Sequence, residues 1–396
     1  MSVSKGRVLV IMCVAVGVII GSAGSARGDG PGERIRAKPA RTELQSPVVE
    51  VPLHVGTGQP LVRVLINDRG PFRFLLDTGA AVTKLDDDVA DGLQLRPVRT
   101  TEIRSASEGS PSVLDVYHLD SITLRDVVFS DVEAVVIDYD EVFGGIRRYE
   151  GALGLSVFAD TLLTIDYPRG YVVLKQGELP AADGQEILDY KERDGTAMIR
   201  ISFGRTSADA AIDSGMAGAF ALDKSLEGRI ELSSESTKPD SIADQLGIDV
   251  TPLKGAMRLG KYELVEPPVF FFGSGSVLGH KVLKHFIVTL DQMHHRVRFA
   301  RDGNSRIKFG PKWSFGIVVG SRRGHIAITS VTPGSYADTI GLQAGDLILT
   351  VEGRPAWEYD VHGLNALMEE VGVIDMKVRR GGINGLPLLV RLKAEP

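Results

Sequence analysis

The stretch "FRFLLDTGAAVTKL", residues 72–85, decides how the rest of the chain reads. A largely apolar run leads straight into Asp77-Thr78-Gly79. A carboxylate carried into apolar surroundings costs on the order of several kcal/mol unless it is partnered. The Asp therefore either ends a strand harmlessly or is required there. Upstream, "LVRVLI" (61–66), the turn residues "NDRGP" (67–71) and "FRFLL" (72–76) form a hairpin that delivers Asp77.

A second passage repeats the pattern. "MIRISF" (198–203), a turn at "GRTS" (204–207) and "ADAAI" (208–212) deliver Asp213-Ser214-Gly215, 213 − 77 = 136 residues later. The sequences downstream agree as well. Leu153-Gly154 matches Leu278-Gly279, and Thr164-Ile165-Asp166 matches Thr289-Leu290-Asp291, with 166 − 154 = 12 and 291 − 279 = 12 residues between Gly and Asp. A closing strand follows each copy, at 171–174 and 296–299. Two copies of one mostly β unit thus occupy residues 48–178 and 190–302, joined by a polar connection at 179–189. Chance produces one Asp-[Ser/Thr]-Gly readily, but not two in matched hairpins with matched offsets.

Composition narrows the function. Apolar and charged fractions of 43% and 24% suit a globular protein, and 396 residues call for more than one domain. A net charge of −6 without a dense Lys/Arg block excludes nucleic acid as the main partner. Residues 1–26 read as a signal peptide: Lys5 and Arg7, the apolar run 8–20, then small residues at 21–26. Thirteen apolar residues are short for a bilayer span, which takes about 20, so membrane attachment enters only if this segment stays uncleaved. Cys13 lies inside the run, so the mature chain has no thiol for a disulfide, a metal or a nucleophile. Residues 27–47 form a polar tether. The expected localisation is secreted, periplasmic or on the cell envelope.

After a linker at 303–312, residues 313–396 read as a smaller α/β unit. Strands are expected at 315–319 and 325–331, an amphipathic helix at 359–371, and closing strands at 375–379 and 386–392.

Two carboxyl groups near one symmetry axis cannot both ionise cheaply, so the pair shares a proton. Such a pair can activate a water on one side and donate a proton to a carbonyl on the other. Thr78 and Ser214 offer hydroxyls to tie the loops together, while Gly79 and Gly215 permit a tight turn with N–H groups aimed at the carboxylates.

The duplicated motif, each copy followed by apolar-Leu-Gly, resembles the aspartic peptidases of the retropepsin-like type, with two lobes fused as in the pepsin-like arrangement. The resemblance covers residues 48–302. It implies a mostly β, bilobal protein of acid-protease-type β-barrel lobes related by a pseudo-two-fold axis. Asp77 and Asp213 would be the catalytic pair, supported by Thr78, Gly79, Ser214 and Gly215. A flap at residues 106–113, with Ser107, Glu108, Gly109 and Ser110 at its tip, would close on an extended peptide, and no Tyr stands there. Met216 follows the second motif where the family usually has a small residue. The passage "SVTPGSYADTIGLQAGDLILTVEG" (330–353) resembles a PDZ domain of the kind attached to exported bacterial peptidases. That resemblance places capture of a peptide C-terminus at Ser314, Phe315, Gly316 and Ile317, with the peptide adding as a strand.

The expected activity is aspartic endopeptidase, acting on protein or peptide substrates without cofactor or metal. The alternative is a non-catalytic peptide-binding protein on the same scaffold, and pairing of lobes between two chains stays open. "GNS" (303–305) lacks the following glycines of a serine-peptidase oxyanion loop. His280, His285, His294 and His295 form no HExxH and read as surface or strand-end histidines. The acidic run 85–92 reads as a helix start, not a calcium loop.

Overall fold

The computed structural model describes residues 39–54, 59–103, 112–139, 149–233, 250–273, 275–309, 314–322, 325–359, 364, 367–368, 371–380 and 387–394. The signal segment (1–26), the first part of the tether and the flap tip (107–110) lie outside the described residues. The chain divides into a unit that includes Pro60–Phe309 and a second that includes Gly310–Pro396.

The opening hairpin pairs Leu61–Ile66 with Arg69–Asp77. Its turn is tighter than the sequence suggests. Only Asn67 and Asp68 lie outside strands, both with positive φ (48° and 62°), as a type I′ turn demands. The second copy pairs Thr196–Phe203 with Thr206–Ile212 around Gly204 at φ 60°.

Strand order makes the duplication visible. In the first copy, Arg69–Asp77 runs parallel to Gly151–Gly154, which lies antiparallel to Thr83–Asp86, itself parallel to Val127–Ile137. In the second, Thr206–Ile212 runs parallel to Ser276–Leu278, then antiparallel to Phe220–Leu222, then parallel to Pro268–Phe271. Direction and order are the same at each step.

A third sheet joins the copies and is a palindrome. Its order is Ile187–Asp189, Arg296–Ala300, Ile287–Asp291, Leu162–Asp166, Tyr171–Lys175, Val48–Pro52. The central antiparallel pair sets Thr164 opposite Thr289, the two residues matched by the repeat, with Leu163 opposite Leu290 and Ile165 opposite Val288. The Thr164 and Thr289 hydroxyls meet at 2.9 Å. The pseudo-two-fold axis passes between them. Apolar burial drives the assembly, and a single buried cluster takes Phe74, Phe129 and Phe158 from one copy and Phe220, Phe286 and Phe299 from the other.

The acidic run forms the short helix Asp87–Gly92, with Asp87 and Asp88 in its first turn. There carboxylates complement the helix dipole.

In the C-terminal unit the sheet order is Ile317–Arg322, His325–Val331, Leu347–Val351, Val373–Arg379, Pro387–Lys393. Leu364 and Met368 are helical and buried in its core with Phe315, Ile328 and Ile374. Ser335 caps the helix Tyr336–Thr339, its hydroxyl accepting from the Asp338 N–H. The buried Asp346 carboxylate accepts from the Gln343 N–H at 3.0 Å and from Arg380 Nε at 3.1 Å, which closes the Gly345-Asp346 turn.

Candidate active site

Two strand ends, Arg69–Asp77 and Thr206–Ile212, aim the motifs at one another. Each loop grips the other. The Thr78 N–H donates to Ser214 Oγ, and the Ser214 N–H donates to Thr78 Oγ1, both at 3.0 Å. Each hydroxyl then donates across the axis to a strand carbonyl, Thr78 Oγ1 to Ile212 O at 2.8 Å and Ser214 Oγ to Leu76 O at 2.5 Å. All of these groups are buried, where an unmet donor costs most.

Within this lock each carboxyl group lies close against the glycine of the opposite loop. Asp77 Oδ1 accepts from the Gly79 N–H at 3.1 Å. Asp213 Oδ1 accepts from the Gly215 and Met216 N–H groups at 2.8 and 2.9 Å. Both glycines lie in turns with their N–H groups on the carboxylates, and neither needs a left-handed φ; what each also provides is room for close approach. A Cβ on Gly79 would fall 2.6 Å from Asp213 Oδ2, and one on Gly215 would fall 2.8 Å from Asp77 Oδ1. Met216 fits because its side chain turns into an apolar cluster with Met198, Ala211 and Phe270. Leu153-Gly154 and Leu278-Gly279 support the loops from beside. The Asp213 N–H donates to Leu278 O at 2.9 Å, and the Leu155 N–H to Ala80 O at 2.7 Å. A Cβ on Gly154 would stand 2.6 Å from the Val82 carbonyl oxygen.

Burial pushes the Asp213 carboxyl well above the usual carboxylate range, and the nearby Asp77 adds to the rise. The Met216 N–H, the Lys84 charge and the Gly215 N–H oppose it. An acid pair in which one member keeps its proton can give that proton to a carbonyl while the other accepts one from water.

Sequence reasoning missed several neighbours. Lys84 and Asp77 are both fully buried, with Nζ 3.1 Å from Oδ2. Tyr139 and Tyr149 are buried nearby and pack edge-to-face at 5.4 Å. Burial first, then Tyr149, Asp77 and Asp86, hold the Tyr139 hydroxyl well above its ordinary value. His280 follows the strand Ser276–Leu278 but is buried, not on the surface, and packs edge-on against Tyr167 at 5.1 Å. Burial, with the charges of Lys284 and Lys281, lowers it to about 3. Nothing local to "TKLD" marks Lys84 as buried, yet all four residues of the strand Thr83–Asp86 are.

The remaining sequence candidates belong to other elements. The strands flanking the flap pair in register, Ile103 opposite Ser112, and its tip is outside the described residues. Phe315 and Ile317 are buried in the C-terminal unit, Gly316 has φ 69°, and the Gly316 N–H donates to Ser314 Oγ at 3.1 Å. The strand Ile317–Arg322 ends its sheet, with His325–Val331 as its neighbour among the described residues.

Residues 62–157 match the aspartyl protease family, and residues 327–380 match the PDZ domain family. Among solved structures the chain is similar to a retropepsin-like aspartic protease from Rickettsia conorii. That likeness is 19% identical and covers 34% of this chain and 93% of that one, with a TM-score of 0.25. A comparison with curated proteins returned no match.

Proposed function

We propose, from a chain that carries a retropepsin-like aspartyl protease fold followed by a PDZ domain, that this protein is an aspartic endopeptidase. Asp77 and Asp213 form its catalytic pair. The observation that carries the reading is the mutual lock of Thr78 and Ser214, which brings two buried carboxyl groups together, each beside the glycine of the opposite loop. A water between them loses its proton to the ionised carboxylate as it attacks the scissile carbonyl. The protonated partner donates to the carbonyl oxygen.

Asp77→Asn and Asp213→Asn should each lower peptide hydrolysis by about 10²–10⁴-fold while circular dichroism stays unchanged. A mutant that hydrolyses peptide at the full rate would show that the pair is not the engine.

The PDZ domain recruits substrate by its C-terminus. Support comes from Ile317–Arg322 standing at the end of its sheet among the described residues, where an extended peptide can add as a strand beside Phe315, Gly316 and Ile317. A peptide bearing a free carboxylate should bind the full-length chain more tightly than its amidated form, and equal binding would refute this assignment. Residues 1–26 act as an export leader. A mature N-terminus read from exported protein should begin after them, and retention of the intact segment in the cytoplasm would count against it.

A further inference from the structure

The two copies agree in strand order but not in charge. Lys84 stands opposite Ala152 in the first copy, and Ala221 stands opposite Val277 in the second. Because Leu153-Gly154 matches Leu278-Gly279, Lys84 and Ala221 are equivalent positions. Ala221 lies in the apolar cluster of Met198, Ala211 and Val277. Lys84 instead brings an ammonium to within 3.1 Å of Asp77 Oδ2 in a place without solvent access. Asp213 Oδ2 has no hydrogen-bond partner among the described residues. A buried cation beside one carboxylate of a pair breaks the equality between them.

We propose that Lys84 is a positioning residue that polarises the acid pair, holding Asp77 as the ionised member and leaving the shared proton on Asp213. The roles in amide hydrolysis then follow. The water oxygen bonds to the carbonyl carbon as its proton passes to Asp77, and the Asp213 proton passes to the carbonyl oxygen, giving a neutral gem-diol. On collapse, Asp77 returns its proton to the amide nitrogen, the C–N bond breaks, and a gem-diol hydroxyl restores the proton to Asp213. Each Asp77 oxygen has one donor in the structure, and a carboxylate oxygen can accept a second, so the base keeps capacity for water.

Tyr139 and Tyr167 carry hydroxyls near the pair. Burial keeps Tyr139 neutral, and burial and then Asp213 raise the Tyr167 hydroxyl. Tyr149 packs on Tyr139, and His280 packs on Tyr167 as the neutral ring. Asp86, buried two residues along the same strand, is the other acid of this face.

This inference rests on the proposed peptidase reading, and two measurements on the full-length protein separate their failures. Carboxyl ¹³C titration of the wild-type chain should find that Asp213 keeps its proton to higher pH than Asp77 does. In Lys84→Met both carboxyl titrations should rise by about one pH unit or more. Both limbs of the pH profile of kcat/KM should move up with them, and Lys84→Arg should return them toward wild type. A proton shared equally, a proton held on Asp77, or a Lys84→Met profile that stays in place would each overturn the role. A chain that hydrolyses no peptide sinks the peptidase reading alone. The wild-type titration still decides the role of Lys84, also where the Met variant does not fold.

Discussion

Thr78 and Ser214 each donate and accept across the axis, so either side chain completes the partner loop. Thr78→Ala or Ser214→Ala leaves a buried N–H and a buried carbonyl without partners, which costs about 1–3 kcal/mol. Urea denaturation should show that loss, and Thr78→Ser should recover most of it. A fully stable Ala variant would mean that the lock contributes no stability. Of these residues, the sequence made legible those whose type and spacing repeat. Asp77 and Asp213 stood out because each follows directly on an apolar run, Phe74-Leu75-Leu76 and Ala210-Ala211-Ile212. Lys84 did not, because its partner is seven residues away in sequence yet meets it only once a strand doubles back beside Gly151–Gly154.

Strands and turns were legible where alternation and turn chemistry agreed. The hairpin around Asn67 was readable, although its second strand starts at Arg69, because two left-handed residues suffice for the reversal. The palindromic sheet was not readable, since pairing between copies leaves no local pattern. Its centre can be tested. Thr164 and Thr289 share one hydrogen bond at 2.9 Å, so removing either hydroxyl loses the same interaction. In a double-mutant cycle, Thr164→Val and Thr289→Val should be non-additive by about 0.5–1.5 kcal/mol. Additive losses would mean that the hydroxyls do not interact.

At the scale of the whole molecule, two buried groups pull stability in opposite directions with pH. The His280 folded value, about 3, lies below its ordinary 6.5, so between these limits the unfolded chain binds the extra proton. The stabilisation from this ring is complete above 6.5 and is lost as pH falls toward 3. Asp213 is raised instead, so its contribution is complete below 3.8 and declines as pH rises through its folded value. His280→Phe should flatten the acid limb of the urea midpoint between pH 3 and 6.5, and Asp213→Asn should lift the neutral side. An acid limb equally steep in wild type and His280→Phe would assign the slope to other groups. The strands of the C-terminal unit were legible, because those described pair with one another and follow in one stretch of sequence.

The sheet centred on Thr164 and Thr289 carries a historical implication. A segment able to bond with a rotated twin of itself needs no second, different sequence to complete the fold. A half-length ancestor could have assembled as a symmetric dimer, one acid from each subunit. In a single chain the halves are free to differ, and the lysine beside only one of the acids is a kind of asymmetry that identical subunits cannot encode.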